Sequence, residues 1–302
     1  MNIKNILGLK RVYSIVIITF SFILTAAYLH AEELAVDPND VIAPPSDITF
    51  TAFYSVNSKS DKLYRNGNVV LNDADLQTNM GVLRLGHNFD IAGLKVMPQL
   101  VVTYGQIDLG RNLVSQPARS STGFGDPVIG ATTWLIADPE SRTWLGIPAY
   151  LSIPMGDYDG QHGAFNIGEN RWKAITQLGY AKGITDKFFV EAIGELSFYG
   201  KNNNFNGMKM QQDPSQSLMG HLTYKVNDKT SISMSYYHTF GGESKLNGID
   251  QSDRKNNNRW LATASTWVTP GLNIQLQYGQ DIETQNGFKQ GDRINLRLAK
   301  VF

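Results

Sequence analysis

His238, with Ser235 before it and Ser244 after it, is the nearest approach to a hydrolytic pair in this chain. Such a pair needs the base within hydrogen-bond reach of the hydroxyl and a third group to orient it. On a β-strand, Ser235 and His238 have opposite parity and point to opposite faces, and no motif marks Ser244. The run Gly156-Asp157-Tyr158-Asp159-Gly160 hints at a calcium loop but lacks the remaining ligand spacing. His87 and His162 are isolated, which makes a metal site of neither. The chain has no cysteine, which removes thiolate metal sites, cysteine nucleophiles and disulfide frameworks. No catalytic residue, cofactor or metal is expected. What remains is a set of polar residues recurring at every second position: Arg84, Lys95, Gln99, Arg171, Lys173, Glu191, Glu195, His221, Lys225, Gln275, Gln277, Arg293 and Arg297. Seven are cationic and two anionic. In a closed lumen they would either brace the wall through ion pairs or form a constriction favouring anions. A strand turn centred on Ile184 would set Glu195 opposite Lys173, and that ion pair is expected.

The elements that must carry these residues are strands. From Asp47 onward, segments of about ten residues alternate apolar and polar, the signature of strands with one face to lipid and one to a lumen. Leu94, Val96, Pro98, Leu100, Val102 and Tyr104 alternate with Lys95, Gln99 and Thr103; Leu272, Ile274, Leu276 and Tyr278 alternate with Asn273, Gln275 and Gln277. Twelve candidates follow, near 47–56, 79–89, 94–106, 126–136, 143–154, 171–181, 187–199, 216–226, 230–240, 259–268, 272–281 and 292–302. Their connections alternate long and short, as tight periplasmic turns and long external loops do in outer-membrane barrels. The expected fold is therefore all-β: a transmembrane antiparallel β-barrel of about twelve strands, with both termini on the periplasmic side.

Aromatic residues are expected to form two membrane-interface girdles. Trp134, Trp144, Tyr180, Phe188, Tyr224 and Trp267 fall near the periplasmic turns, with Trp267 on the inward parity. Tyr54, Tyr104, Trp172, Tyr199, Tyr236, Trp260 and Tyr278 fall near the external loops. The last strand ends on Phe302, the position read as an insertion signal for barrel-assembly machinery. Lys300 shares its parity and could snorkel to headgroups.

Residues 1–31 have the layout of a cleaved signal peptide: Lys4, Lys10 and Arg11, then the uncharged run Val12 to Leu29, then Glu32 and Glu33. Cleavage could follow Ala27 or Ala31. The alternative is an uncleaved inner-membrane anchor, since eighteen uncharged residues are just long enough to span a bilayer, although Ser14, Thr19, Ser21 and Thr25 dilute the run. Residues 32–46, with Pro38, Pro44 and Pro45, are expected to be a flexible lead-in, and 47–302 the barrel. Lys+Arg and Asp+Glu number 27 each, and charged residues are 18% of the chain. Without a basic surplus the chain is a poor nucleic-acid binder. Its expected partners are outer-membrane lipid, the assembly machinery and a small-molecule solute.

Three stretches carry a resemblance: Gly123-Phe124-Gly125-Asp126-Pro127, Pro154-Met155-Gly156-Asp157-Tyr158 and Gly168-Glu169-Asn170-Arg171-Trp172. In this order and spacing the chain resembles the meta-pathway phenol-degradation family of outer-membrane proteins, which are transporter-like barrels. The resemblance implies an outer-membrane location and passage of aromatic or other small hydrophobic compounds. Uptake through the wall would require a strand interrupted by Gly or Pro, and Pro98, Pro127 and Pro148 are the candidates. The competing reading is a structural or adhesion barrel whose long loops bind partners. A lipid hydrolase built on His238 is a more remote alternative.

Overall fold

The computed structural model describes residues 36–110, 113 and 120–302. The signal segment and most of the loop after Asp108 lie outside the described residues. Twelve strands form the wall: β1 Ile48–Arg65, β2 Leu76–Ile91, β3 Leu94–Asp108, β4 Val128–Asp138, β5 Thr143–Ser152, β6 Lys173–Gly183, β7 Phe188–Tyr199, β8 Ser215–Lys225, β9 Thr230–Gly241, β10 Lys255–Thr269, β11 Leu272–Thr284 and β12 Gly287–Val301. Each pairs antiparallel with its neighbours in sequence, and β1 closes the ring on β12 with Phe50 opposite Val301 and Asn57 opposite Ile294. Thr49 and Phe302 exchange backbone hydrogen bonds at the seam. Closure leaves no unpaired edge, as a strand protein in hydrocarbon requires. No helix of the described residues is long and apolar enough to cross a membrane.

The long strands outrun the expected bounds. β1 has 18 residues and β2 has 16, so much of the expected loop 57–78 is wall. β5 has only 10. Above the short strands the external connections fold on one another. Asn202–Phe205, Met208–Gln212, Ser244–Leu246 and Ile249–Asp250 form a second four-stranded sheet. Its hairpins turn at Asn206-Gly207 and Asn247-Gly248, where both residues take positive φ, the geometry of two-residue hairpins. Phe205, Met210 and Leu246 from this sheet pack with Leu63, Leu76, Ile107, Phe165 and Phe288 into a buried apolar cluster. This cluster caps the external mouth.

The girdles form, with four corrections. Tyr180 and Phe188 are exposed near the periplasmic turns, as are Tyr104, Trp172, Tyr236 and Tyr278 near the external rim. Trp260 meets Tyr278 edge to face, centroids 5.9 Å apart. Trp134 and Trp144, however, are buried, because each falls on the inward parity of its strand and meets the contents of the lumen. Tyr54 lines the lumen, and Tyr199 faces Lys173 across the β6–β7 ladder. Trp267 keeps the inward parity, paired with buried Asn273.

The cap's apolar cluster makes a direct prediction. Phe165 is 2% exposed, so Phe165→Ala should cost about 3 kcal/mol of local stability. Residues 155–170 should then be cut by added protease on whole cells at concentrations that spare the parent protein. An unchanged digestion pattern would show that the cap does not depend on this core.

Candidate functional site

Because side chains alternate across each strand, every lipid-facing apolar set leaves a polar set inside. The structure places Arg84, Gln99, Lys173, Glu191, Glu195, His221, Gln275, Gln277, Arg293 and Arg297 within the lumen, with Arg171 buried near its external end. Lys95 lies at the periplasmic mouth on Ser46 and Asp90, and Lys225 lies over the Phe189 ring there.

One expected pair is not formed. The β6–β7 turn sits two residues beyond Ile184, so Glu195 stands opposite Gln177 and Lys173 opposite Tyr199. Glu195 accepts a hydrogen bond from Gln177 Nε2 at 2.6 Å. Lys173 lies instead 4.0 Å from Glu169, which also binds Arg171 at 2.6 Å. His238 bonds to Asn258 rather than to a serine; Ser235 lies inside, 2.9 Å from His221 Nδ1. Ser244 donates its backbone N–H to Asp253. Asp159 caps the turn Gly160–His162, and among the described residues no His, Asp and Glu cluster could hold a metal ion.

The lumen is filled from below by residues 36–46. Where the composition led to an expectation of a flexible lead-in, this segment is seated inside the barrel and bonded on all sides. Glu191 accepts the backbone N–H groups of Asn39 at 2.7 Å and Val41 at 3.3 Å. Arg84 pairs with Asp40 at 3.0 Å, and Arg297 pairs with Asp37 and Asp40 at 3.2 Å each. Trp134 Nε1 donates to the Val41 carbonyl, Tyr237 to the Val36 carbonyl, and Asn88 to those of Pro44 and Pro45. Gly179 makes room: a Cβ there would lie 3.0 Å from Val41 Cγ2. Pro38, read as a sign of flexibility, here stands in a pair of tight turns, where Asp40 donates its N–H to the Asp37 carbonyl and Ile42 to that of Asn39, while the strap's acids meet an inward-facing surplus of arginine and lysine. Sequence alone hid this because the acids and their partners are up to 260 residues apart.

Between this strap and the external cap lies a chamber of about 150 Å³. One side is apolar, with Val56, Val82, Val101, Ile107, Ile167 and Ile175; Arg84, Arg293 and Lys173 are offset by Asp37, Asp126 and Glu169. Its outer wall is where the three family-like motifs meet. Tyr104 faces Phe124 but Val101 faces Val128, so Val102 and Thr103 are opposed by three residues, Gly125, Asp126 and Pro127. The regular ladder is interrupted there by a bulge, bridged by the Gly125 N–H to the Thr103 carbonyl at 2.8 Å and the Ile153 N–H to the Pro127 carbonyl at 2.9 Å. Beside these bonds Asp126 ties in the external loop, accepting the N–H groups of Gly156 at 2.8 Å and Glu169 at 2.7 Å. Asp157 accepts the Phe124 N–H at 2.7 Å and donates its own to the Phe124 carbonyl. Asn170 and Asn202 tie the third motif in, and Asn202 binds the Tyr158 hydroxyl. Burial pushes the Tyr158 phenol above its ordinary value. Gly123, Gly125, Asp126, Pro154, Gly156, Asp157, Asn170, Arg171 and Trp172, spread over fifty residues of sequence, thus gather at one break in the wall.

A closed twelve-stranded antiparallel ring with exposed apolar bands, aromatic girdles and a polar interior is an outer-membrane β-barrel of the channel class. The chain belongs to the family described as MetA-pathway of phenol degradation, whose profile matches residues 60–298. It is similar to the crystal structure of the COG4313 outer membrane channel from Pseudomonas putida F1, at 32% identity and a TM-score of 0.85, over 88% of this chain and 100% of that one. The β domain of the Bordetella autotransporter BrkA shares the fold alone, at 9% identity and a TM-score of 0.52, over 85% and 100% of the two chains. No curated protein sequence matches. The protein resides in the outer membrane.

Removing the strap's carboxylates should unseat it. Asp37→Asn with Asp40→Asn leaves Arg84 and Arg297 buried without counter-charges, a loss of about 3–5 kcal/mol for each broken buried pair. Single-channel steps in a planar bilayer should grow several-fold over the parent's, on the order of the area freed by the strap. Equal conductance in the two proteins would mean that the strap is held by its apolar and backbone contacts alone.

Proposed function

We propose that this barrel passes small, largely apolar molecules of about one aromatic ring, and that the chamber between strap and cap is where they pause. The observation that carries this reading is the chamber itself. A cavity of about 150 Å³ with one aliphatic side is of a size that accepts a single benzene ring in other proteins, and its charged side chains stand together on the remaining wall. Its charges are matched in number, three cations to three carboxylates, which supports a solute with little net charge over the anion preference expected from the cationic set. The phenol-degradation description of the family and the channel nature of the similar Pseudomonas protein support the same reading. A purely structural barrel has no need of a chamber with an exposed aliphatic side at its centre, where packed side chains would be more stable.

The refolded chain in a planar bilayer should show small, stable conductance steps that benzyl alcohol interrupts. Val82→Phe, which fills the chamber from β2, should abolish the interruptions while leaving the barrel folded. Steps indifferent to benzyl alcohol, or a Val82→Phe protein still blocked by it, would leave the adhesion or structural reading standing in its place.

A further inference from the structure

The strap does not fill the lumen evenly. Its apolar residues Val36 and Val41 pack with Trp134, Trp144 and Ile193, on the β4–β7 side. Beyond Asp37, toward β7–β12, a second compartment of about 60 Å³ remains, enough for a small ion with water beside it. Glu195, Ser217, Thr239 and Asn257 line it. They are partners in register, Glu195 with Ser217, Ser217 with Thr239, and Thr239 with Asn257. Four oxygen-bearing side chains therefore stand in one row across β7–β10, with neighbouring Cβ atoms about 5 Å apart.

Two groups in this compartment lack what buried groups need. Glu195 is 9% exposed, yet among the described residues its carboxylate meets only neutral donors, Gln177 Nε2 at 2.6 Å and Ser197 Oγ at 3.3 Å. The other carboxylates here are answered, Asp281 by Arg259 at 2.8 Å and Asp37 by Arg297 at 3.2 Å. Asn295 also lines the compartment and is 7% exposed, and its Oδ1 has no hydrogen-bond partner among the described residues. The two guanidiniums that share the space are drawn to β12, across the lumen from Glu195: Arg293 donates to Gln290 Oε1 at 3.3 Å, and Asp281, which binds Arg259, accepts the Gln290 N–H at 2.8 Å. A buried charge without a partner is costly, and so is an open buried oxygen. One bound cation would remove both costs.

We infer that this compartment is a binding site for one monovalent inorganic cation, with Glu195 supplying the charge and Ser217, Thr239 and Asn295 the neutral oxygens. The site goes beyond the passage of apolar solutes and does not depend on it, because Asp37, Gln277, Arg293 and Asn295 stand between the two spaces and line both. The valence follows from the donor set. Calcium gathers six to eight oxygens, several of them carboxylate, and among the described residues no three acidic or imidazole groups stand together. A single carboxylate with hydroxyl and amide oxygens balances a single charge, and neutral oxygens of this kind replace the water shell of potassium in selective pores. The acceptors have capacity to spare. Ser217 Oγ and Thr239 Oγ1 lie 3.1 Å apart, so one donates to the other and both keep a lone pair for an ion. A carboxylate has about four acceptor positions, and hydrogen bonds occupy two of those on Glu195. With the ion seated, the β7–β10 wall is braced on the side that the strap leaves open.

The test reads thermal unfolding, because an ion that binds the folded barrel alone raises its stability. The purified protein in detergent is heated in about 0.2 M potassium chloride, or in as much tetramethylammonium chloride, whose cation is too large for the compartment. The folded fraction is followed by heat-modifiable gel mobility. Potassium should raise the midpoint by on the order of 3 °C. Glu195→Gln keeps the shape and removes the charge, and should lose the shift. Equal midpoints of the parent in the two salts would overturn the proposal, and so would a shift that Glu195→Gln retains. Calcium chloride at matched ionic strength should raise the midpoint less than potassium does; a larger rise would overturn the monovalent assignment. Should Glu195→Gln fail to fold, Thr239→Val decides: with one oxygen lost, it should need about tenfold more potassium for the same shift, and an unchanged requirement would overturn the site. Val82→Phe fills the neighbouring chamber and should keep the potassium shift in full. Its loss there would show that the two spaces are one. The benzyl alcohol test reads the chamber and this one the compartment, so the two readings stand or fall separately.

Discussion

The structure depends on one constraint: no backbone N–H or carbonyl can face hydrocarbon unpaired. The ring of twelve ladders satisfies it, with β1 hydrogen-bonded to β12 along most of its length. Once the ring is closed, side-chain alternation is no longer free. Each residue that faces lipid commits its neighbours to the lumen, and the polar lumen follows from the apolar outside. The charges inside must then find partners among themselves or from another part of the chain. Here the partners come from residues 36–46, whose two aspartates answer Arg84 and Arg297.

The same constraint explains the break at Gly125-Asp126-Pro127. Proline removes a donor, and an interrupted ladder in the wall would leave neighbouring amides open. The carboxylates of Asp126 and Asp157 take three of those amides. Side-chain acceptors thus supplement the Thr103 and Pro127 carbonyls at the level where Val102 and Thr103 face a bulge. Pro98 and Pro148, read as equal candidates for a wall opening, behave differently. Each keeps a partner on one side, Ala131 and Thr132 respectively, and on the other side the pairing skips two residues, Met97–Pro98 against β2 and Ile147–Pro148 against β6, with the register unshifted across each gap.

Strand number, closure and the lumenal side of each strand were legible in the sequence because period-2 alternation is a local signal. The motifs at 123–127, 154–158 and 168–172 were legible as a resemblance, but not their meeting place, which depends on how three loops fold over β3. The Lys173–Glu195 expectation failed for a small reason. A turn centred two residues later shifts every cross-strand partner by four while leaving each side chain on its own face. Trp134 and Trp144 failed for a different one: their height along the strand was read correctly, but their parity put them against the strap rather than the lipid. The strap was the least legible part. Pro- and Asp-bearing composition describes a chain that cannot build a core by itself, and this one borrows the barrel's.

One feature of the wall bears on how the protein sits among its neighbours. At about 3.3 Å per residue, the 18-residue β1 reaches roughly 60 Å along its own axis and the 10-residue β5 roughly 33 Å. The tube is cut obliquely, like the nib of a reed pen, with β10 to β3 standing tall and β5 to β9 low. The low flank leaves the headgroup layer level with the rim. The folded external connections make up the missing height on that side, so Phe205, Met210 and Leu246 lean across from the low rim onto Leu63, Leu76 and Phe288 of the tall one.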